Sequence, residues 1–330
     1  MTSSIPSDLP STADVRAAAA RLAGVAVRTP LLESGLLNAR LGGRLLVKAE
    51  PLQRTGSFKF RGAYNRVSLI PVADRCRGVV ALSSGNHAQG VAAAAAMLGL
   101  AATVVMPADA PAIKRANTAA LGARVVAYDR HRDDREAIAA EIADRTGATI
   151  VKPYDDPGII AGQGTVGLEI AEQTAALGVR PDAVLVCCGG GGLVSGTALA
   201  LAEAAKGVPV WCVEPAAFDD TRRSLAAGER LGNPPEARSI CDALLSPMPG
   251  ELTFALNRRL LAGGLAVDDD QVRHAMRTAF ETLKLVVEPG GVVALAAVLS
   301  GQIEITGRTI VVVASGGNVD PETFAQALAA

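Results

Sequence analysis

Lys59 stands in the stretch QRTGSFKFRGA, with Phe58 before it and Phe60 after it. The chain holds only 6 Phe, so two rings beside one lysine concentrate apolar surface at that point. A partly desolvated lysine gives up its proton more readily and becomes an amine nucleophile. The Gly56-Ser57 step lets the backbone turn, so that the lysine enters a crevice near the start of a helix. Gly189, Gly190, Gly191 and Gly192 form a second feature, an unbroken glycine run ahead of a helical pattern. Their N–H groups can turn inward without a Cβ in the way, and the helix adds its positive end, which suits a phosphate. A tight packing turn is the plainer alternative. No GK[ST] follows, so the run is not a nucleoside-triphosphate loop, and the GxGxxG spacing is missing from its usual place near the chain start.

Three more stretches carry chemistry. SSGNHAQG offers Ser83, Ser84, Gly85, Asn86 and His87 where a strand pattern gives way to a helix. Short donors there suit a carboxylate; helix capping by Ser84 or Asn86, and a core role for His87, are the plainer readings. SGGN puts the hydroxyl of Ser315 after another strand pattern, or is a simple turn. VEPAAFDD holds Glu214, Asp219 and Asp220, which are either solvated loop carboxylates or oxygen ligands for Mg²⁺ or Ca²⁺. His87, His131 and His274 lie far apart with no zinc-ligand spacing.

Something must bring these stretches together. Apolar runs without strict alternation recur at 44–50, 78–84, 102–107, 123–128, 149–154, 182–189, 209–215 and 309–317. Such runs suit strands covered on both faces of a parallel sheet. Alanine-rich helical patterns fall between them at 86–98, 111–121, 133–146, 165–177, 193–206 and 268–284. The alternation predicts an α/β architecture with mostly parallel sheets flanked by helices. Ligands in such folds bind beyond the carboxyl ends of the strands, where the Ser83, Gly189 and Ser315 stretches all fall. The units at 78–152 are expected to form a small domain inserted into a large one made of 1–77 and 153–330.

The bulk composition narrows the function classes. At 330 residues, 49% hydrophobic and 20% charged, the chain reads as a soluble globular protein. Aromatics are only 3%, which points to close helix packing through small residues. A net charge of -1 leaves no basic footprint for nucleic acid. No basic and apolar leader is visible at the N-terminus, and the alanine-rich runs are too weak for a membrane span, so a cytoplasmic location is expected. Cys76, Cys187, Cys188, Cys212 and Cys241 contain no CxxC pair and read as small buried hydrophobes. The charged run at 129–145 reads mainly as a solvated helix face.

An amine nucleophile and a phosphate nest in one crevice point to pyridoxal phosphate, with Ser315 available to its ring nitrogen. At this point the chain resembles the fold-type II pyridoxal-phosphate enzymes, in the threonine/serine dehydratase and serine racemase branch (tryptophan synthase β-like in fold). The resemblance covers nearly the whole chain and rests on QRTGSFKFRGAYN, SSGNHAQGVA, PYDDPGIIAGQGTVGLEI, GGGGLVSG, VEPGGVVALAA and SGGNVD. It implies that Lys59 binds the cofactor aldehyde and moves the substrate Cα proton, with Phe58 packed on the cofactor ring. It implies that Asn86 meets the ring hydroxyl, Gly189 to Gly192 and the Leu193 backbone take the phosphate, and Ser315 meets the ring nitrogen. Ser83, Ser84, Gly85, Asn86 and His87 would receive the substrate carboxylate. Glu214, the Phe218 carbonyl and Asp220 match the family's divalent-cation site, for Mg²⁺, Ca²⁺ or Mn²⁺. Relatives are commonly homodimers or homotetramers.

The implied reaction is loss of water from a β-hydroxy amino acid, with L-threonine or L-serine as the leading substrate and a 2-oxo acid and ammonia as products. Serine racemase and 3-hydroxyaspartate dehydratase are the alternatives, ahead of a β-replacement synthase or a catalytically silent binding protein. Ser84 divides them, because many dehydratases of this group carry alanine there, while serine resembles the racemases and can protonate Cα. Arg135 lies where racemase-like relatives place an arginine near the distal end of the substrate; the plain reading is a surface helix residue. Ala243 stands where the family often has glycine, which is expected to crowd the cofactor edge. The chain stops soon after SGGNVD, so no regulatory domain with isoleucine feedback is expected.

Overall fold

The computed structural model describes residues 8–329 apart from 84, 111, 130 and 131. Ten strands form two sheets: β1 (Leu31–Glu33), β2 (Arg44–Ala49), β3 (Val79–Leu82), β4 (Ala102–Pro107), β5 (Arg124–Tyr128), β6 (Thr149–Val151), β7 (Ala183–Cys187), β8 (Val210–Pro215), β9 (Gly263–Val267) and β10 (Thr309–Ala314). The larger sheet runs β1-β2-β10-β7-β8-β9 and the smaller β5-β4-β3-β6. Every pairing is parallel except the edge pair β1 and β2. The last strand in sequence, β10, is central: Val312 pairs with Val47 on one side and Leu185 on the other.

The absence of alternation in the sequence now has a cause. Successive side chains of β10 point to opposite faces. Ile310, Val312 and Ala314 enter one apolar core, and Val311 and Val313 enter another. β7 does the same, sending Leu185 and Cys187 one way and Val184 and Val186 the other. Helices Asp269–Thr278 and Pro289–Leu299 cover the first face; Pro157–Ala176 and Gly192–Ala204 cover the second. With apolar demand on both sides, each strand reads as a continuous hydrophobic run.

Two strands escape the sequence reading. β1 is a three-residue antiparallel edge, too short to show a pattern. β9 opens with Gly263-Gly264, and glycine weakens any strand signal. The helix read at 165–177 begins earlier, at Pro157, capped by the Asp156 side chain on the Ile159 N–H. Its first turns were hidden by glycines that serve close approach. A Cβ on Gly162 would lie 2.6 Å from the Cα of Gly62, and one on Gly196 would lie 2.6 Å from the Gly164 nitrogen. Helices Lys59–Ser68, Pro157–Ala176 and Gly192–Ala204 therefore meet backbone to backbone.

Among the described residues no helix is long and apolar enough to cross a membrane. Four cysteines are buried, as expected, but Cys76 is exposed; all five are free.

Candidate functional site

The turn that delivers Lys59 lies one residue earlier than expected. Thr55 and Gly56 adopt left-handed backbone conformations, at φ 59° and 73°, while Ser57 is extended and bridges to Gly316. The Phe58 N–H donates to the Ser315 carbonyl at 3.1 Å, tying the start of the lysine helix to the end of β10. The Lys59 amine lies 5.2 Å from the centre of the Phe58 ring and donates to the Pro153 carbonyl at 2.8 Å. Phe60 does not flank it. Adjacent helix positions face different ways, and Phe60 is fully buried against Tyr64. Lys59 is half-buried. Burial of its amine pushes the pKa down to about 8, while the Glu288 carboxylate pulls the other way. An amine in that range gives up its proton far more readily than a free lysine does, within reach of neutral pH.

Two residues along the same helix, Arg61 anchors it. Its guanidinium is buried and donates to both oxygens of Glu50 at 2.8 Å and to Glu169 at 2.6 and 2.9 Å. It also reaches the Thr165 hydroxyl and the Val27 carbonyl, each at 3.2 Å. Lys48, fully buried, adds 2.5 Å and 2.9 Å bonds to Glu169 and Gln173 and another to the Thr29 carbonyl. Two cations thus meet two carboxylates, which is what makes burial of four charges tolerable.

The glycine run follows β7. Gly191 is left-handed at φ +96°, and a Cβ there would lie 2.9 Å from Thr253, so only glycine fits. The carbonyls are tied back, Gly190 by the Thr253 hydroxyl at 2.7 Å and Gly191 by the Ser195 N–H and hydroxyl at 2.9 and 2.8 Å. Helix Gly192–Ala204 begins here with no side-chain cap, so its first N–H groups, including that of Leu193, lack intrahelical partners. The Tyr154 ring lies against Gly190 and would collide with any Cβ there. The exposed Ala243 sits on the short turn Asp242–Leu244, whose Leu244 backs the run at Gly189. Ser315, nearly buried at the end of β10, shares this strand edge.

Helix Asn86–Leu98 starts at the end of β3 with Gly85 as its N-cap and no side-chain cap, which sets aside the capping role considered for Asn86. The Asn86 carbonyl oxygen instead accepts from the Asn318 amide at 2.7 Å, and its own amide donates to Glu288. The Ser83 hydroxyl accepts the Gly85 N–H at 3.1 Å. His87 is buried with Nε2 2.9 Å from the Val151 carbonyl, and burial beside Lys59 pushes its pKa down to about 3, so its ring is neutral. Ser84 lies outside the described residues. Arg135 opens helix Arg135–Thr146, half its side chain exposed, with Glu136 as its ion-pair partner at 3.6 Å. Its charge reaches Tyr154, and no bond joins it to Ser83, Asn86 or His87.

Glu214 is fully buried and accepts the Thr221 and Arg222 N–H groups at 3.0 and 2.8 Å. Burial and the neighbouring Asp220 push its pKa up to about 8. Asp220 takes the Asn233 amide at 2.6 Å on one oxygen, and its other oxygen is buried without a partner. Burial raises it to about 6. Phe218 is buried on the intervening turn. Among the described residues no group of three or more His, Cys, Asp or Glu side chains is placed to hold a metal ion. Two carboxylates with a backbone carbonyl stay within that finding.

Sequence reasoning missed Glu288, Lys114 and Tyr154. Glu288 and Tyr154 lie in quoted motifs, VEPGGVVALAA and PYDDPG, but nothing local marks them as facing Asn86 or the glycine run. Lys114 is nearly buried, pairs with Asp242, and its amine would lie 3.6 Å from a Cβ on Gly85.

The buried polar atoms left without partners around Lys59 and Asn86 include Ser57 Oγ, His87 Nδ1 and Glu288 Oε2. With the Cβ-free glycine run, they suit a polar, phosphate-bearing cofactor that the lysine can hold. Residues 22–316 match the family model described as pyridoxal-phosphate dependent enzyme. The chain is 44% identical over 315 residues to the L-threo-3-hydroxyaspartate ammonia-lyase of Pseudomonas sp, covering 96% of this chain and 97% of that one. It is 39% identical to the serine racemase of Schizosaccharomyces pombe, covering 97% and 98% of the two chains. A solved structure of a T.th. threonine deaminase superposes with a TM-score of 0.89 at 45% identity, covering 94% of this chain and 99% of that one.

Proposed function

The chain belongs to the pyridoxal-phosphate-dependent enzyme family, and on that premise we propose that it is an ammonia-lyase removing water from a β-hydroxy amino acid. The observation that carries the reading is the Lys59 amine, half-buried, lowered to about 8 and set at the strand edge that also carries Ser315 and the glycine run. The bound cofactor would supply an electron sink for the carbanion at Cα. Lys59 would hold the cofactor, then take the Cα proton; Phe58 would lie beside the ring. Asn86 would donate to the ring hydroxyl with the N–H that Glu288 leaves free. Gly189 to Gly192 and Leu193 would bind the phosphate by backbone N–H groups, and the Ser315 hydroxyl would face the ring nitrogen. A hydroxyl there holds a full positive charge less well than a carboxylate would, which favours elimination over transamination. Ser83, Gly85, Asn86 and His87 would meet the substrate carboxylate. Ser84, on sequence grounds, would move a proton on the opposite face, and Arg135 would meet the distal end of the substrate.

L-threonine and L-serine lead as substrates. A second reading, 3-hydroxyaspartate, is favoured by the nearly buried ammonium of Lys114 beside Gly85, which would meet a second carboxylate. Glu214, the Phe218 carbonyl and Asp220 would hold a divalent cation such as Mg²⁺, and the partnerless Asp220 oxygen fits that role. The proposal includes a small domain at 78–152 inserted into a large one, a homodimer or homotetramer, and a cytoplasmic location.

The test is a panel of L- and D-serine, L- and D-threonine and the hydroxyaspartate isomers, scored for ammonia, oxo acid and inverted amino acid. Elimination from at least one β-hydroxy amino acid is expected, lost together with the lysine-bound cofactor absorption in Lys59→Ala. Turnover retained in Lys59→Ala would sink the mechanism. Activity confined to hydroxyaspartate would select the second reading.

A further inference from the structure

Glu288 precedes helix Pro289–Leu299 at the N-cap position, where a short polar side chain such as Asp or Ser commonly bonds to the helix's own N–H groups. Glu288 does not. It is 1% exposed, and its carboxylate points away from that helix to the amide of Asn86, 202 residues distant in sequence. Its backbone N–H donates to the Gly316 carbonyl at 3.0 Å, which pins it against the SGGN turn. Gly316 has no room for a Cβ, because the Glu288 Oε1 oxygen and Ser57 occupy the space. The first glycine of SGGN thus makes room for the carboxylate.

The Asn86 amide is held from both ends. Its oxygen is taken by Asn318, which also donates to the Thr55 carbonyl at 2.7 Å, and one of its N–H groups is taken by Glu288. One N–H remains, which leaves Asn86 a donor to offer a bound group. The charged groups around Glu288 come from three other elements: Lys59 from its helix, Lys114 from helix Ala112–Ala120, and Asp242 from the short turn Asp242–Leu244. The two lysines favour the carboxylate and Asp242 opposes it. His87, the remaining titratable ring near Lys59, is neutral.

We propose that Glu288 is a positioning residue of the crevice, orienting the Asn86 amide as a donor and serving as the charge partner of the Lys59 amine. Burial lifts the Glu288 carboxyl to about 7 and lowers the Lys59 amine to about 8, and the charge of each favours the charged form of the other. The Lys59 amine must lose a proton to attack the cofactor and again to accept one from Cα. A carboxylate nearby stabilises the ammonium and delays that loss as pH rises; removing the carboxylate advances it.

This rests on the cofactor reading, and the experiment separates the two. Pyridoxal phosphate is stripped from the full chain and added back, and the rate at which the lysine-bound absorption appears is followed against pH. The wild type should form the band, and borohydride reduction should fix the cofactor on Lys59; failure of either sinks the cofactor reading itself. In Glu288→Gln the midpoint of the rate profile should move down by about one pH unit, the scale expected for loss of one opposite charge nearby. Capture below the wild-type midpoint should then be about tenfold faster. An unchanged midpoint with a normal band overturns the proposal. Glu288→Asp keeps the charge but not the reach. It should retain the wild-type midpoint while holding the cofactor several-fold more weakly, and a midpoint shifted as in the Gln variant, or undiminished cofactor affinity, also overturns it.

Discussion

Replacing Arg61 tests how the lysine helix is held. In Arg61→Met the Glu50 carboxylate, fully buried, retains only the Thr29 hydroxyl at 2.5 Å, and Glu169 retains Lys48. Breaking a buried pair leaves an uncompensated charge and costs about 3–5 kcal/mol, so a loss of about 4 kcal/mol is expected. Arg61→Lys keeps the charge, but an ammonium donates three bonds where the guanidinium reaches both Glu50 oxygens, both Glu169 oxygens, Thr165 and Val27. At about 1–3 kcal/mol for a buried group left unsatisfied, a loss of about 2 kcal/mol follows. Adding Glu50→Gln to Arg61→Met removes the stranded charge and should recover about 1–2 kcal/mol, a coupling within the range for residues in contact. The assay is denaturant unfolding of the cofactor-free chain for the wild type, the single variants and the double variant. A loss below about 1 kcal/mol in Arg61→Met, or purely additive effects in the cycle, would refute the account.

Two other perturbations probe the flanking sites. Chelation with EDTA should lower the unfolding temperature if Glu214 and Asp220 hold a cation, and added Mg²⁺ should restore it; a temperature indifferent to complete metal removal counts against the site. Gly191→Ala forces a left-handed backbone and a clash with Thr253 onto the phosphate loop, so cofactor affinity should fall about tenfold or more, measured by equilibrium titration of the stripped protein. Unaltered affinity would show that the loop does not carry the phosphate.

Much of this architecture could be read from residues alone, for a reason visible in the cores. Strands apolar on both faces announce themselves as runs, and eight of the ten did so at 44–50 through 309–317. The exceptions are an edge pair partner and a glycine-led edge, where packing demand is weakest. The Gly-rich start of helix Pro157–Ala176 misled because its glycines answer to neighbouring helices, which no local pattern records. The same holds within the site. Lys59 and the glycine run carry their chemistry in adjacent residues, so type and spacing suffice to find them. Phe60 looked equivalent to Phe58 in sequence, yet two residues along the chain it faces the core. Glu288 meets Asn86 only through the fold, and a lone glutamate before Pro-Gly-Gly resembles any helix start.

The backbone contacts among the three glycine-bearing helices bear on more than packing. One of those helices begins at Lys59 and another at Gly192, the end of the phosphate loop, and both rest on Pro157–Ala176. Together they form a caliper whose opening is set by glycine. Its two jaws are the amine and the anion cradle, and a cofactor with an aldehyde at one end and a phosphate at the other must span them. A single added methyl at Gly162 or Gly196 would therefore change the gauge of the site from the helix seams behind it, without touching any group that meets the ligand.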